Sequence, residues 1–194
     1  MLNTVSRMHF WLIGCASLAL ALSAHPASAQ SPDAIKIGVI GEESSVAGAS
    51  LTKAAVMAAD NINAHGGING RKIEVITYDN HSSASDSVRA FQRAVSLQDK
   101  VVAVIGSYIS EVVLALEPWS ARLHMPFITP GAASDLISKA VHDDYDNFKY
   151  TFHGFLTSTI VAQVICDYTK DILIGPFHLK TAVIMSEDAA WHAV

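Results

Sequence analysis

The chain has 194 residues, 51% hydrophobic and 16% charged, with 13 basic against 18 acidic side chains and a net charge of −5. That length is enough for one domain with a real core. The mildly acidic balance gives no electrostatic basis for holding nucleic acid or an anionic membrane surface.

The first segment reads as an export signal. Arg7 gives a positive start, residues 10–22 form an apolar run too short to span a bilayer comfortably, and Ala27-Ser28-Ala29 offers small residues at the positions a signal peptidase reads. Cleavage is expected after Ala29, so residues 1–29 are assigned to a signal peptide. Leu12-Ile13-Gly14-Cys15 has the look of a lipobox, but the apolar run continues past Cys15 to Leu22. A membrane anchor fits poorly with Pro26 and the cleavage site that follow. Removing 29 of 194 residues leaves 165, with a charge of −6, because the segment holds one Arg and no acid. Only Cys166 remains, so no internal disulfide is available, and its apolar helical surroundings predict a buried, inert thiol.

The mature chain opens with a strand–helix–strand pattern. Residues 35–40 are a short, β-branched apolar run ended by Gly41, as in a strand buried on both faces. A polar loop, 41–45, follows. Leu51, Ala54/Ala55, Ala58 and Ile62 recur at helical spacing, Gly66-Gly67 provides the stop, and residues 72–78 read as a second strand. One such unit predicts a parallel sheet with more to come, and ligands in these sheets sit beyond the carboxyl ends of the strands.

The pattern repeats downstream. Ser83 with Asp86 suits a capping box ahead of a helix whose face carries Ala84, Val88, Phe91 and Val95. Residues 101–105 read as a third strand, ended by Gly106. Ser110 is a candidate N-cap for a helix over 112–122, which Pro118 is expected to kink or shorten. Residues 125–129 read as a fourth strand and 132–140 as a short helix. An acidic polar loop, 142–147, precedes a strand over 148–152. Thr157 or Ser158 then caps a long helix with Val161, Val164, Ile165, Tyr168 and Ile172 on one face, stopped by Gly175-Pro176. Residues 181–185 read as a further strand, with Ser186-Glu187-Asp188 at its carboxyl end.

Three loops at the same sheet edge carry small and hydroxyl residues: Ser44-Ser45, then Tyr108 and Ser110, then Gly131, Ala133 and Ser134. Small residues let a ligand approach backbone N–H groups, and the helix starts beneath favour an anionic group such as a carboxylate. Ser110 could cap, bind, or do both. No residue in these loops has a paired base and no Gly-x-Ser-x-Gly elbow occurs, so no catalytic residue is assigned. Gly66-Gly67-x-x-Gly70 follows a helix and precedes a strand, the reverse of a dinucleotide fingerprint. His142-Asp143-Asp144 is the most metal-like grouping, but no other His has the spacing to complete it, so no metal or cofactor is expected.

The runs NINAHGGINGRKIEVITYDN, VVAVIGSYIS and MPFITPGAAS, in register behind a signal peptide, resemble the type I periplasmic solute-binding proteins of ABC importers, the branched-chain amino acid (leucine/isoleucine/valine) group most of all. The resemblance covers about residues 35–188. It implies an α/β, flavodoxin-like lobe of parallel sheet and flanking helices, facing a second lobe across a hinge, with a small solute held between them. It also implies capture of an amino acid or analogue in the periplasm for an inner-membrane permease, without catalysis. The ligand-binding residues it implies are Ser110, at the place of the carboxylate-binding serine, and Gly131, at a backbone contact after Thr129-Pro130. Ala133 stands where amino-acid binders usually have a threonine; Ser134 is the possible replacement donor, and Tyr108 an apolar wall. Glu42-Glu43 replaces the usual small-residue loop and would disfavour a carboxylate or meet a cation.

The implied organisation is a first lobe over 30–147, then a hinge crossing and the start of a second lobe over 148–194, with that lobe incomplete. A chain of this extent is expected not to close around a ligand. On the residues alone, a ligand sensor of the same architecture, an exported α/β enzyme and a fragment without activity remain open beside the importer reading.

Overall fold

The structure, a computed structural model, describes residues 33–96, 98–185 and 187–192. The expected signal segment 1–29, with Cys15, and Ser186 of the last loop lie outside the described residues.

Five parallel strands form one sheet in the order β2-β1-β3-β4-β5. They are β1 (Ile35–Gly41), β2 (Ile73–Asp79), β3 (Ala103–Gly106), β4 (Phe127–Thr129) and β5 (Thr151–His153). β1 pairs with β2 from Ile35↔Ile73 to Gly41↔Asp79, and with β3 from Ile37↔Ala103 to Ile40↔Gly106. β4 joins β3 through Val104↔Phe127 and carries β5 through Phe127↔Thr151. The chain reverses direction across the sheet between β1 and β3, which makes the carboxyl edge there the place for a ligand.

The first helix, α1 (Val46–Ala64), starts at Ser45, whose hydroxyl accepts the Gly48 N–H at 2.9 Å. Its inner face runs Gly48, Leu51/Thr52, Ala55 and Ala59; the expected Leu51 and Ala55 lie on it half-buried, whereas Ala54, Ala58 and Ile62 are exposed. The reason is backbone contact: a Cβ on Gly48 would lie 2.3 Å from the Glu42 carbonyl oxygen, so this turn sits hard against the first loop. The double-glycine stop forms as expected: Gly67 has φ +76°, and its N–H bonds the Ile62 carbonyl at 2.9 Å.

Helices α2 (Ala84–Ala94), α3 (Ser110–Leu123) and α4 (Asp135–Asp143) cover one face. Ile40, Phe91, Val104, Val113, Leu116, Phe127 and Ile137 make the core there, with Phe91 and Phe127 edge to face at 5.9 Å. Ser83 caps α2, accepting the Asp86 N–H at 3.3 Å, but the expected box is half formed: the Ser83 N–H bonds the Asn80 carbonyl at 2.8 Å and the Asp86 carboxylate pairs with Arg89.

Several expectations are corrected. Pro118 does not shorten α3; buried Leu116, Glu117 and Ser120 hold the helix on both sides of it, and His124 closes the end in the left-handed conformation. Ser110 is not an N-cap: Ile109 holds that position, and no side chain caps the helix. The helix expected over 132–140 begins three residues later, because Ser134 caps it by accepting the Leu136 N–H at 3.3 Å. Part of the expected acidic loop is helical, in the end of α4 and in α5 (Tyr145–Phe148).

Past β5 the chain changes character. Helix α6 (Ser158–Tyr168) continues as a π-helix over Thr169–Ile174, and its apolar positions Val164, Ile165 and Tyr168 are exposed. Cys166 is exposed too, not buried, because nothing described packs on this helix face. Residues 181–185 do not form the expected strand. Among the described residues no strand pairs with them, and an extended segment without a partner leaves its backbone groups to water. A short 3₁₀ turn, Ala190–His192, ends the described chain.

Candidate functional site

The ends of β1 to β4 each deliver a polar residue to the carboxyl edge, and these residues bond sideways into a row. Glu42, just after β1, is fully buried; its Oε1 accepts from Asn80 Nδ2 at 2.9 Å and from the Ser107 hydroxyl. Asn80 follows β2 and Ser107 follows β3. The Ser107 hydroxyl oxygen accepts the Ile109 N–H at 3.0 Å, and its carbonyl accepts the Thr129 hydroxyl at 3.0 Å, which reaches β4. Further along, Ser110 Oγ accepts the Ser134 N–H at 3.2 Å, tying the start of α3 to the start of α4. Glu42, Asn80, Ser107, Ser110, Thr129 and Ser134 are all buried, and their mutual bonds offset the loss of water.

Above this row lies a cavity of about 400 Å³. One wall is Tyr108, Ile109, Ser110 and Glu111; a second is Gly131 and Ala133; the third is Glu187, Ala189 and Trp191. Gly131 is required by close approach, since a Cβ there would lie 2.8 Å from Tyr108 Cβ. The third wall is held by the Ala190 N–H donating to Glu111 Oε1 at 2.6 Å and by Trp191 Nε1 donating to Glu187 Oε1 at 2.6 Å. The α3 N-terminus, Ser110 and Glu111, lines this cavity and has no side-chain cap, which brings the positive end of the helix dipole to the cavity wall.

Four of the residues expected at the site, Tyr108, Ser110, Gly131 and Ala133, line this one cavity. Ser134 does not; its hydroxyl caps α4 and its N–H serves Ser110. Glu42 and Glu43 do not present charge to the cavity either. Glu42 is buried in the row, and Glu43 Oε1 accepts the Thr52 hydroxyl on α1.

The 131–135 loop is also fastened from below by the chain leaving β5. His153 Nε2 meets the Ala132 carbonyl at 2.7 Å, and the Ser158 N–H and hydroxyl both donate to the Ala133 carbonyl, at 2.6 and 2.8 Å. Hydrogen bonds from Thr157 and Thr159 hold the Asp135 carboxyl below the usual carboxylate range. Among the described residues no group of three or more His, Cys, Asp or Glu side chains could hold a metal ion, and His142-Asp143 forms only an exposed pair.

Sequence reasoning missed the buried row and the Trp191 wall. An acid placed directly after a strand-ending glycine, in a loop otherwise made of small residues, was the available sign for Glu42; nothing local pointed to Trp191.

The sequence profile of a family described as periplasmic binding protein matches residues 34–192. An amino acid binding protein of Pseudomonas aeruginosa is 32% identical over 87 residues, 45% of this chain and 23% of its own length. A Leu/Ile/Val-binding protein homolog of Brucella abortus is 29% identical over 136 residues, 70% of this chain and 36% of its own. The branched-chain amino acid transporter substrate binding protein LivJ of Streptococcus pneumoniae, solved in complex with isoleucine, superposes with a TM-score of 0.64 at 32% identity, covering 72% of this chain and 39% of that one. The matches thus span between about a quarter and two fifths of these relatives. With its parallel five-stranded sheet and a family match over nearly every described residue, the chain belongs to the periplasmic binding protein family.

Proposed function

We propose that this chain carries the first ligand lobe of an exported, non-catalytic solute-binding component of an ABC importer, which captures an amino acid or similar small polar solute in the periplasm for an inner-membrane permease. On this reading residues 1–29 direct export, 30–147 form the first lobe, and 148–194 form the crossing and the start of the second. The observation that supports it is the cavity beside the uncapped α3 N-terminus, with the Ser110 hydroxyl and the Gly131 loop on adjoining walls. That arrangement suits a carboxylate: helix N–H groups and a hydroxyl donate, and Ser110 Oγ is oriented by the Ser134 N–H it already accepts. The relatives named above bear amino-acid-binding names, and LivJ holds isoleucine. Ala133 offers no hydroxyl, so the carboxylate has one donor fewer than amino-acid binders usually supply.

Calorimetric titration of the chain with L-isoleucine, L-leucine and L-valine tests the proposal. Expected is saturable binding at the cavity lined by Ser110 and Gly131. Ser110→Ala is expected to weaken it about tenfold or more, the loss of one hydrogen bond to a charged group. Ser110→Thr, which keeps the hydroxyl, is expected to retain part of the affinity. No saturable binding of any amino acid, or binding indifferent to Ser110→Ala, would overturn it.

A further inference from the structure

We propose that Glu42 is a positioning residue: its buried carboxyl group draws Asn80 and Ser107 onto one oxygen and thereby sets the 107–110 loop that forms the cavity wall. Glu42 does not line the cavity. It reaches the wall through Ser107, whose hydroxyl donates to Glu42 Oε1 and accepts the Ile109 N–H at 3.0 Å. Ile109 is the N-cap of α3, so the place of the Ser110 hydroxyl and of the helix start follows from where Ser107 is held. The same oxygen takes Asn80 Nδ2 at 2.9 Å, and Asn80 is itself fixed by its N–H to the Gly41 carbonyl at 3.0 Å. One atom therefore gathers the ends of β1, β2 and β3.

Stability alone does not account for this carboxyl. Its second oxygen, Oε2, is buried with no hydrogen-bond partner among the described residues. An unpartnered buried oxygen costs stability, and only apolar residues at 42, 80 and 107 together would avoid orphaned polar groups here. What the carboxyl alone supplies is an acceptor to which two neighbouring loops can point. The backbone of Glu42 is fixed as well, by the Ser45 N–H on its carbonyl at 2.8 Å and by the close approach of Gly48. The acceptor is thus held from behind while it holds the loops in front.

The role matters for solute capture only if the reading above is right, so its test is made without solute. Amide hydrogen exchange is followed in the full chain by NMR. Glu42→Leu is expected to raise the exchange rate of the Ile109 amide about tenfold or more, with the Val104 and Phe127 amides of the inner strands unchanged. Ser107→Ala is expected to do the same, and the double variant to add little, because both act on one link. Glu42→Gln keeps an acceptor oxygen and is expected to restore most of the protection. If Glu42→Leu does not fold, Asn80→Ala, which removes one donor to Glu42 and leaves the Ile109 acceptor in place, carries the test, with a selective rise in Ile109 exchange expected.

An Ile109 rate that stays at the parent value in the folded variants overturns the proposal. So does a rise shared equally by Ile109, Val104 and Phe127, which would mark a general stabilising role, and so does full additivity in the double variant. Titration of the same proteins with L-isoleucine reads the binding proposal separately. Failure of the parent to bind isoleucine counts against that proposal while a selective Ile109 response still supports this one.

Discussion

The carboxyl edge of the sheet and the stretch from α6 onward end in opposite conditions: polar groups are buried at the first and apolar ones exposed along the second. At the edge, the ends of β1 to β4 hand buried polar groups to one another, and Glu42 Oε1, Ser107, Thr129 and Ser134 each bond a residue from another loop. From Ser158 onward, apolar side chains stand in solvent: Val164 and Ile165 are each 59% exposed, and Ile184 is 92% exposed. Both regions carry strand and helix patterns. What differs is the presence of a partner surface, so a hydrophobic pattern marks which face seeks burial but does not supply the burial.

Paired truncations test that contrast most severely. Phe91→Ala removes a fully buried ring at the centre of the core and is expected to cost about 3–5 kcal/mol, whereas Ile184→Ala is expected to stay within about 0.5 kcal/mol. Chemical denaturation of the two variants measures both; comparable losses would break the comparison. The second test uses Glu117, buried on α3 with Oε1 unpartnered. Burial pushes its carboxyl up from 4.5 to about 8. Between those values the folded chain keeps a proton that the unfolded chain has released, so stability falls as pH rises through the window. The penalty is absent below about pH 4.5, complete above about pH 8, and on the order of a few kcal/mol. Glu117→Gln removes that slope, and denaturant midpoints of the two proteins across pH 5–9 are expected to converge at the acid end. A difference independent of pH would count against the buried assignment. The smallest effect sharpens the contrast locally: Ser83→Ala, which deletes the cap of α2, is expected to cost about 1 kcal/mol, and Ser83→Gly only a few tenths, read from thermal melts.

Much of the fold was legible because its elements are locally specified. The β1–α1–β2 unit is announced by a β-branched run, a helical period and Gly66-Gly67, and all three appear where those signals lie, within a residue or two at the ends. Thr181 to Met185 carries the same kind of strand signal and forms none, because pairing is a property of a neighbour and not of the segment. The cavity was legible in part. Tyr108, Ser110, Gly131 and Ala133 could be gathered because topology brings the loops after β3 and β4 to one edge. The inward turn of Glu42 could not, since an acid beside a glycine in a loop is ordinarily solvated, and only the approach of Asn80 and Ser107 makes its burial tolerable. At Pro118 the expected shortening does not occur, because buried neighbours on both sides carry the helix through it.

The exposure of Cys166 gives an experimental consequence. It is the one free thiol among the described residues and sits on the outer face of α6, remote in sequence from the loops that line the cavity. A maleimide dye would attach there without touching the hydrogen bonds of the sheet edge. Its emission would report on whatever comes to cover that helix, and in a chain that starts after residue 29, and so lacks Cys15, a single label could follow this surface in solution without any engineered residue.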